Sequence, residues 1–210
     1  MNFGIIADGN RRWAKKHGFS TEEGHRRGFW SIKDELFPVL TNSPDFDAMT
    51  IYAFSTENWK RSLSEVRYLM KLYAEMLDSW MPEITKQEAK LVHCGRKNRI
   101  PAFLRKKLLE VEKLSAKNKK FTIYLCLDYG GRDEILRAAK AKGSLEKNLE
   151  VPDLDIILRT GGEYRLSNFC IWQAAYAELF FSEKFLPELK ASDVKKILQD
   201  FAERDRRKGK

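Results

Sequence analysis

The run Ala48 to Phe54, AMTIYAF, is apolar at nearly every position. A strand of that composition cannot leave one face in water, so it belongs to a sheet covered on both sides. Five further runs read as strands: Phe3–Ala7, Lys90–Cys94, Phe121–Leu127, Ile156–Leu158 and Leu179–Phe181. Between them lie helical patterns over Arg11–Lys16, Thr21–Leu40, Ser64–Trp80, Pro101–Lys117, a stretch from Arg132 to about Ala141, and Ser192 to about Arg204. Strands that alternate with helices predict an α/β fold: one domain over residues 1–210, with a largely parallel six-stranded sheet flanked by helices. A chain of 210 residues is long enough for one sizeable core and short for two.

The charge balance narrows the partners. There are 39 Lys and Arg against 30 Asp and Glu, a formal +9, which favours phosphate esters, an anionic membrane surface or nucleic acid. The basic stretch Arg96, Lys97, Arg99, Arg105, Lys106 and Lys107 is the best case for membrane or nucleic-acid contact, although a solvated helix face is the better explanation. Cys94, Cys126 and Cys170 are scattered and odd in number, so no disulfide framework or zinc site is expected, and a reducing cytosol fits. The chain begins almost at its first strand, so no signal peptide is expected. No GxxxxGK[ST], GxGxxG or HExxH occurs, so P-loop, dinucleotide and zinc-protease readings lack their motifs.

Three strand ends carry chemistry. Arg159 closes the fifth strand, followed by Thr160-Gly161-Gly162, then Arg165 and Ser167. Guanidinium forks match phosphate oxygens, and glycines let backbone N–H groups approach closely, so this stretch suits a phosphate or diphosphate. Glu178, just before the sixth strand, offers a carboxylate to a metal. Asp8 ends the first strand beside Gly9, Asn10 and Arg12. Magnesium takes one or two protein carboxylates and leaves its other positions to water and substrate phosphates, which fits Asp8; an Asx turn opening a short helix fits it too. After the second strand, Ser55 to Arg61 reads as a mobile active-site loop or a plain strand-to-helix connection. The stripe Val66, Leu69, Met70, Tyr73, Leu77 and Trp80 is core or the wall of a hydrophobic tunnel, and periodicity does not separate the two.

Blocks along nearly the whole chain resemble the cis-prenyltransferases, the undecaprenyl diphosphate synthase family. They are IIADGNRRWAK (Ile5 to Lys15), Gly24-His25, YAFSTENWKR (Tyr52 to Arg61), DYGGR (Asp128 to Arg132), ILRTGGEYRLSNFCIWQAAYAELFF and the terminal RRKG. The resemblance implies Mg²⁺-dependent condensation of isopentenyl diphosphate with an allylic prenyl diphosphate, releasing pyrophosphate and leaving a cis double bond. It implies Asp8 and Glu178 as metal ligands and Asp8, Asn58, Arg61 and His25 as the catalytic set. Gly9, Asn10, Arg11, Arg12, Trp13, Arg159, Arg165 and Ser167 are implied as substrate-binding. Arg207 and Gly209 are implied to complete a neighbouring subunit's site, hence a homodimer. A cytoplasmic enzyme with peripheral membrane contact and no nucleic-acid partner is expected.

The chain departs from the family pattern in ways that matter. Thr21 stands where an arginine for the allylic diphosphate is usual, with Arg26 or Arg27 as candidates to offset it. Ser62 replaces a usual proline, and Asp128 a common asparagine. Relatives that join two allylic units, of lavandulyl type, also lack that arginine, but they tend to lose Glu57-Asn58-Trp59, which is intact here. A noncatalytic partner subunit would lack Asp8 and the RTGGE block, and both are present. Phe29 and Trp30 follow Gly24–Gly28 where long-chain relatives tend to have small residues, while Ala53 is small. Adjacent helical residues are about 100° apart, so at most one of the two rings is expected to face the tunnel, the rest being core packing, and a ring there would stop the chain short of undecaprenyl length.

Overall fold

The computed structural model describes residues 1–204. Six strands form one sheet: β1 (Asn2–Ile6), β2 (Ala48–Ser55), β3 (Ala89–Cys94), β4 (Phe121–Tyr129), β5 (Ile156–Arg159) and β6 (Glu178–Phe181). Their order is β3-β4-β2-β1-β5-β6, and every pairing is parallel. The sheet is thus all-parallel rather than largely so. Its carboxyl ends lie along one edge, and the chain order reverses beside β1 and β2. That is where open α/β sheets leave a crevice for ligands.

Both faces are covered, as the composition of β2 requires. One face packs Phe3, Ile5, Met49, Ile51 and Phe54 against the long helices. The other packs Ile6, Tyr52, Ile157 and Phe169 together with the three buried, unbridged cysteines. The helices are α1 (Asn10–Lys16), α2 (Thr21–Ser31), α3 (Phe37–Thr41), α4 (Leu63–Lys86), α5 (Ala102–Ser115), α6 (Gly131–Lys140), α7 (Leu145–Asn148) and α8 (Ala191–Glu203).

Two helices differ from the pattern read from sequence. Thr21–Leu40 is not one α-helix: a π turn at Ile32–Leu36 separates α2 from α3, and the Phe37 N–H donates to the Ile32 carbonyl. Pro38 explains it. Its ring has no N–H and would strike the carbonyl four residues back, and a widened turn relieves that clash. Helix α4 runs past Trp80 and through Pro82 to Lys86. Packing of its apolar stripe outweighs one missing hydrogen bond; Val66, Leu69, Met70, Tyr73, Leu77 and Trp80 are all buried. Ser62 caps α4, its hydroxyl accepting the Glu65 N–H at 3.3 Å, so the replaced proline became an N-cap.

Candidate active site

The carboxyl ends of β1, β2 and β5 meet at Asp8. Gly9 follows with φ 99°, a left-handed turn where an added Cβ would strike Phe185, so glycine is required to turn the chain into α1. Asp8 accepts hydrogen bonds from the Gly9 N–H (2.6 Å) and from Arg159 Nη2 (2.8 Å), and Arg12 Nη2 stands 3.2 Å away. Burial pushes the Asp8 carboxyl up. The Arg159 hydrogen bond, the Gly9 N–H and the charges of Arg159 and Arg12 outweigh it and hold the group below its usual range. Asp8 is therefore ionised, and its side chain is still about a third exposed.

Arg159 is the hub behind it. It is buried, bonds Asp8 with one terminal nitrogen, and donates with the other to Ser167 Oγ (2.7 Å) and to the Arg165 carbonyl. Its Nε is buried and has no hydrogen-bond partner among the described residues. Arg165 is 60% exposed and pairs with Glu163, which also pairs with Arg12. The predicted residues Asp8, Arg12, Arg159, Arg165 and Ser167 are thus brought together.

The second cluster sits across the pocket. His25 Nε2 lies 3.3 Å from Glu65 Oε1, and Arg61 Nη1 donates to the same oxygen at 3.1 Å. Arg11 stands 3.9 Å from the other carboxylate oxygen. With His25 as the donor to Glu65, the ring proton is on Nε2 and Nδ1 is bare. Burial, then the Arg61 cation, depress the His25 pKa against the pull of Glu65, so the ring is neutral at pH 7. Glu65 escaped the sequence reading because a lone Glu in the first turn of a helix looks like ordinary dipole complementation. The Ser55–Arg61 segment is a 3₁₀ turn, Thr56–Lys60, rather than an open loop; the Ser55 N–H donates to Asn58 Oδ1 (3.1 Å).

Two pockets share this edge. One is lined by Asp8, Gly9, Asn10 and His25, by the cations Arg11, Arg12, Lys15 and Arg61, and by Thr21. The other is a cavity of about 240 Å³ with a polar mouth at Asp8, Asn58, Arg61, Arg159 and Ser167. Its walls are Ile51, Ala53, Phe29, Ile32, Leu69, Leu72, Tyr73 and Met76. Ala53 sits where β2 slips register against β4, and its carbonyl accepts the Tyr73 hydroxyl at 2.6 Å. Asp8, Asn10, His25 and Arg61 line both spaces.

Several expectations are redirected. Trp13 lies on the buried side of α1, stacked on His17 and Phe19, and lines neither pocket. Arg26 pairs with Glu75, and Arg27 with Glu23 while covering Trp13 and Phe19, and neither lines the cationic pocket; Arg11 and Lys15 do. Glu178 is the first residue of β6, level with Ile156 and so with Phe3. At about 3.3 Å per strand residue that is roughly 16 Å along the sheet from Asp8, at its opposite end, where Glu178 pairs with Arg204. One chain therefore does not bring together the two carboxylates expected to hold a metal, Asp8 and Glu178. Among the described residues, no three His, Cys, Asp or Glu side chains form a metal cage. Arg207 and Gly209 lie outside the described residues.

A cationic crevice that shares Asp8 with a largely apolar cavity suits a ligand with an anionic head and an apolar tail. The chain belongs to the undecaprenyl diphosphate synthase family of prenyltransferases, whose model matches residues 6–209. It is 37% identical to the isoprenyl transferase of Rickettsia typhi over 98% of this chain and 96% of that one. It is also 37% identical to that of Thermotoga maritima, over 98% and 94%. Among solved structures it is similar to lavandulyl diphosphate synthase from Lavandula x intermedia in complex with dimethylallyl diphosphate (TM-score 0.92, 31% identity, 100% of this chain and 98% of that one). It is also similar to a probable undecaprenyl diphosphate synthase from Campylobacter jejuni (TM-score 0.84, 32% identity, the same coverage). The protein is a prenyl transferase.

Proposed function

We propose that this enzyme condenses isopentenyl diphosphate with an allylic prenyl diphosphate, with Mg²⁺, and ends at a cis-prenyl product of short to medium length. The observation that carries the reading is Asp8, which lines both the cationic crevice and the apolar cavity. Asp8, ionised and partly exposed, fits magnesium, which needs few protein oxygens when substrate phosphates supply others. The ion would stabilise negative charge on the departing diphosphate. Arg11, Arg12 and Lys15 hold that diphosphate, while the apolar tail enters the cavity. Arg159, Arg165 and Ser167 receive isopentenyl diphosphate. Asn58 and Arg61 orient the reacting ends, and the bare Nδ1 of His25 accepts the proton lost as the new bond forms.

Product length is set by the cavity floor. Phe29 is buried on the cavity wall and Trp80 stands behind it edge-on at 5.9 Å, with Phe37 packed in turn on Trp80. Trp30 is 37% exposed under Lys33 and takes no part. A cavity of about 240 Å³ is below the roughly 300–1,000 Å³ usual for drug-sized ligands, so an undecaprenyl chain does not fit without opening that wall. A second copy of the chain is part of the reading. Trp172, Tyr176 and Leu179 leave apolar surface exposed around β6, and any service of Glu178 to the metal then comes from the partner. The basic face of α5 suits peripheral contact with an anionic membrane at the cytoplasmic side, and nucleic acid has no role.

One observation favours a second reading, irregular coupling of two allylic units: Thr21 lines the cationic crevice in place of a cation. Turnover of Asp8→Ala tests the proposal. It is expected to be abolished with the fold intact by circular dichroism; full activity in the variant, or in excess chelator, contradicts the metal role. Product formed from dimethylallyl diphosphate alone would select the second reading.

A further inference from the structure

Asp128 is a buried carboxylate that the mechanism leaves unused. It lies near the end of β4 with φ 50°, a left-handed backbone that few side chains tolerate, and its side chain is inaccessible to solvent. Every contact it makes is charged or directional. Arg96 donates to it through Nη2 (2.6 Å) and Nε (3.2 Å), and the Arg96 backbone N–H donates to the Asp128 carbonyl (3.1 Å). The remaining donor is the indole N–H of Trp59, at 2.8 Å. Trp59 is further held edge-on by Phe54 at 5.0 Å and capped by the Arg99 guanidinium at 4.6 Å.

Trp59 belongs to the one-turn 3₁₀ helix Thr56–Lys60. Such a helix has three residues per turn, so positions i and i+3 eclipse, and the residue between them points elsewhere. Asn58 and Arg61 are i and i+3, and both line the cavity. Trp59 leaves from another side of the turn, toward β4. Fixing its ring therefore fixes the azimuth of the turn, and with it the aim of Asn58 and Arg61. A hydrogen bond to an ionised acceptor is shorter and roughly twice as strong as one between neutral groups. Arg96 supplies the counter-charge without which a buried carboxylate is costly.

We propose that the buried Asp128–Arg96 pair is the anchor of the catalytic turn: by holding the Trp59 indole it sets Asn58 and Arg61 toward the reacting centre. Asp128 and Trp59 are then positioning residues, touching no substrate. The kinetic half of this inference rests on the proposed prenyl transfer; the structural half does not.

The test is a cycle of Asp128→Asn, Trp59→Phe and the double variant. Asp128→Asn keeps the shape and an acceptor oxygen but removes the charge; Trp59→Phe keeps the ring and removes the donor. Each is read by hydrogen exchange of amides 55–61 and by steady-state kinetics. Each single variant is expected to speed exchange in the turn by about tenfold and to lower kcat by about tenfold, with KM for isopentenyl diphosphate unchanged. The double variant is expected to be no worse than either single one, because both cut the same link. A merely structural Asp128 would lower Tm equally in both backgrounds and give kcat losses that multiply. Unchanged exchange in both single variants, or multiplying kcat losses, overturns the anchor. If the wild-type protein shows no prenyl transfer, the proposed reaction fails and the exchange measurement alone decides the anchor.

Discussion

Arg159 and Arg165 are six residues apart, yet losing one is a different event from losing the other. Arg165 is exposed and makes a surface pair with Glu163. Arg165→Ala should leave stability alone and weaken isopentenyl diphosphate by the value of one charge-assisted contact, about 1.5–3 kcal/mol, or roughly ten- to a hundredfold in KM. Arg159 also neutralises Asp8 from inside the protein, so Arg159→Ala should lower Tm and kcat together as well as raise KM. Equal effects of the two variants on Tm would contradict this division. Acid should act through the histidines. Burial, first of all, holds both His25 and His93 below their usual pKa. In the unfolded chain each takes up a proton near pH 6.5, before the folded protein does, so stability is retained above about pH 7 and falls as pH drops through 6.5. His93→Gln, which keeps an N–H for the Leu127 carbonyl, should flatten that fall in Tm between pH 7 and 5.5. An unchanged slope would place the acid sensitivity elsewhere.

At the scale of elements, α2 and α4 matter most, because they close the cavity on the β2 bulge at Ala53. The apolar stripe of α4 was legible from its spacing. That its neighbouring flank, Leu72 and Met76, lines a cavity was not, because 3.6-residue periodicity marks an apolar face and not whether the face meets side chains or space. Likewise Phe29 and Trp30 are equivalent in a sequence, and only the azimuth of α2 buries one and exposes the other. Phe29→Ala should therefore lengthen the product ladder while Trp30→Ala leaves it as it is. Mass spectrometry of the products checks both, and an unchanged ladder in Phe29→Ala would remove the floor from the account. The π turn after Ser31 was hidden for a related reason: Pro38 signals trouble in a helix, but the helix can answer by widening as well as by ending.

For the molecule as a whole, the strand runs and their order of helices specified a parallel α/β sheet, and the carboxyl-end rule placed Asp8, Arg159 and Ser167 on one edge. The same rule, applied to Glu178, gives the opposite edge, since a residue that begins a parallel strand lies away from one that follows another strand's end. Motif proximity to a strand had obscured which end it occupied. Glu65, Lys15 and the Asp128 anchor were not legible, because each depends on which helix or strand end a charge faces across the fold. What the assembled chain predicts is a single coupling: a cationic crevice that holds a diphosphate and an apolar cavity too short for a long chain, joined at Asp8. Product analysis by mass spectrometry, with isopentenyl diphosphate and allylic starters of several lengths, with Mg²⁺ and with chelator, tests that most directly. The account predicts elongation only when both substrates and the metal are present, ending short of undecaprenyl diphosphate; a product of undecaprenyl length or longer, or turnover without metal, would contradict it.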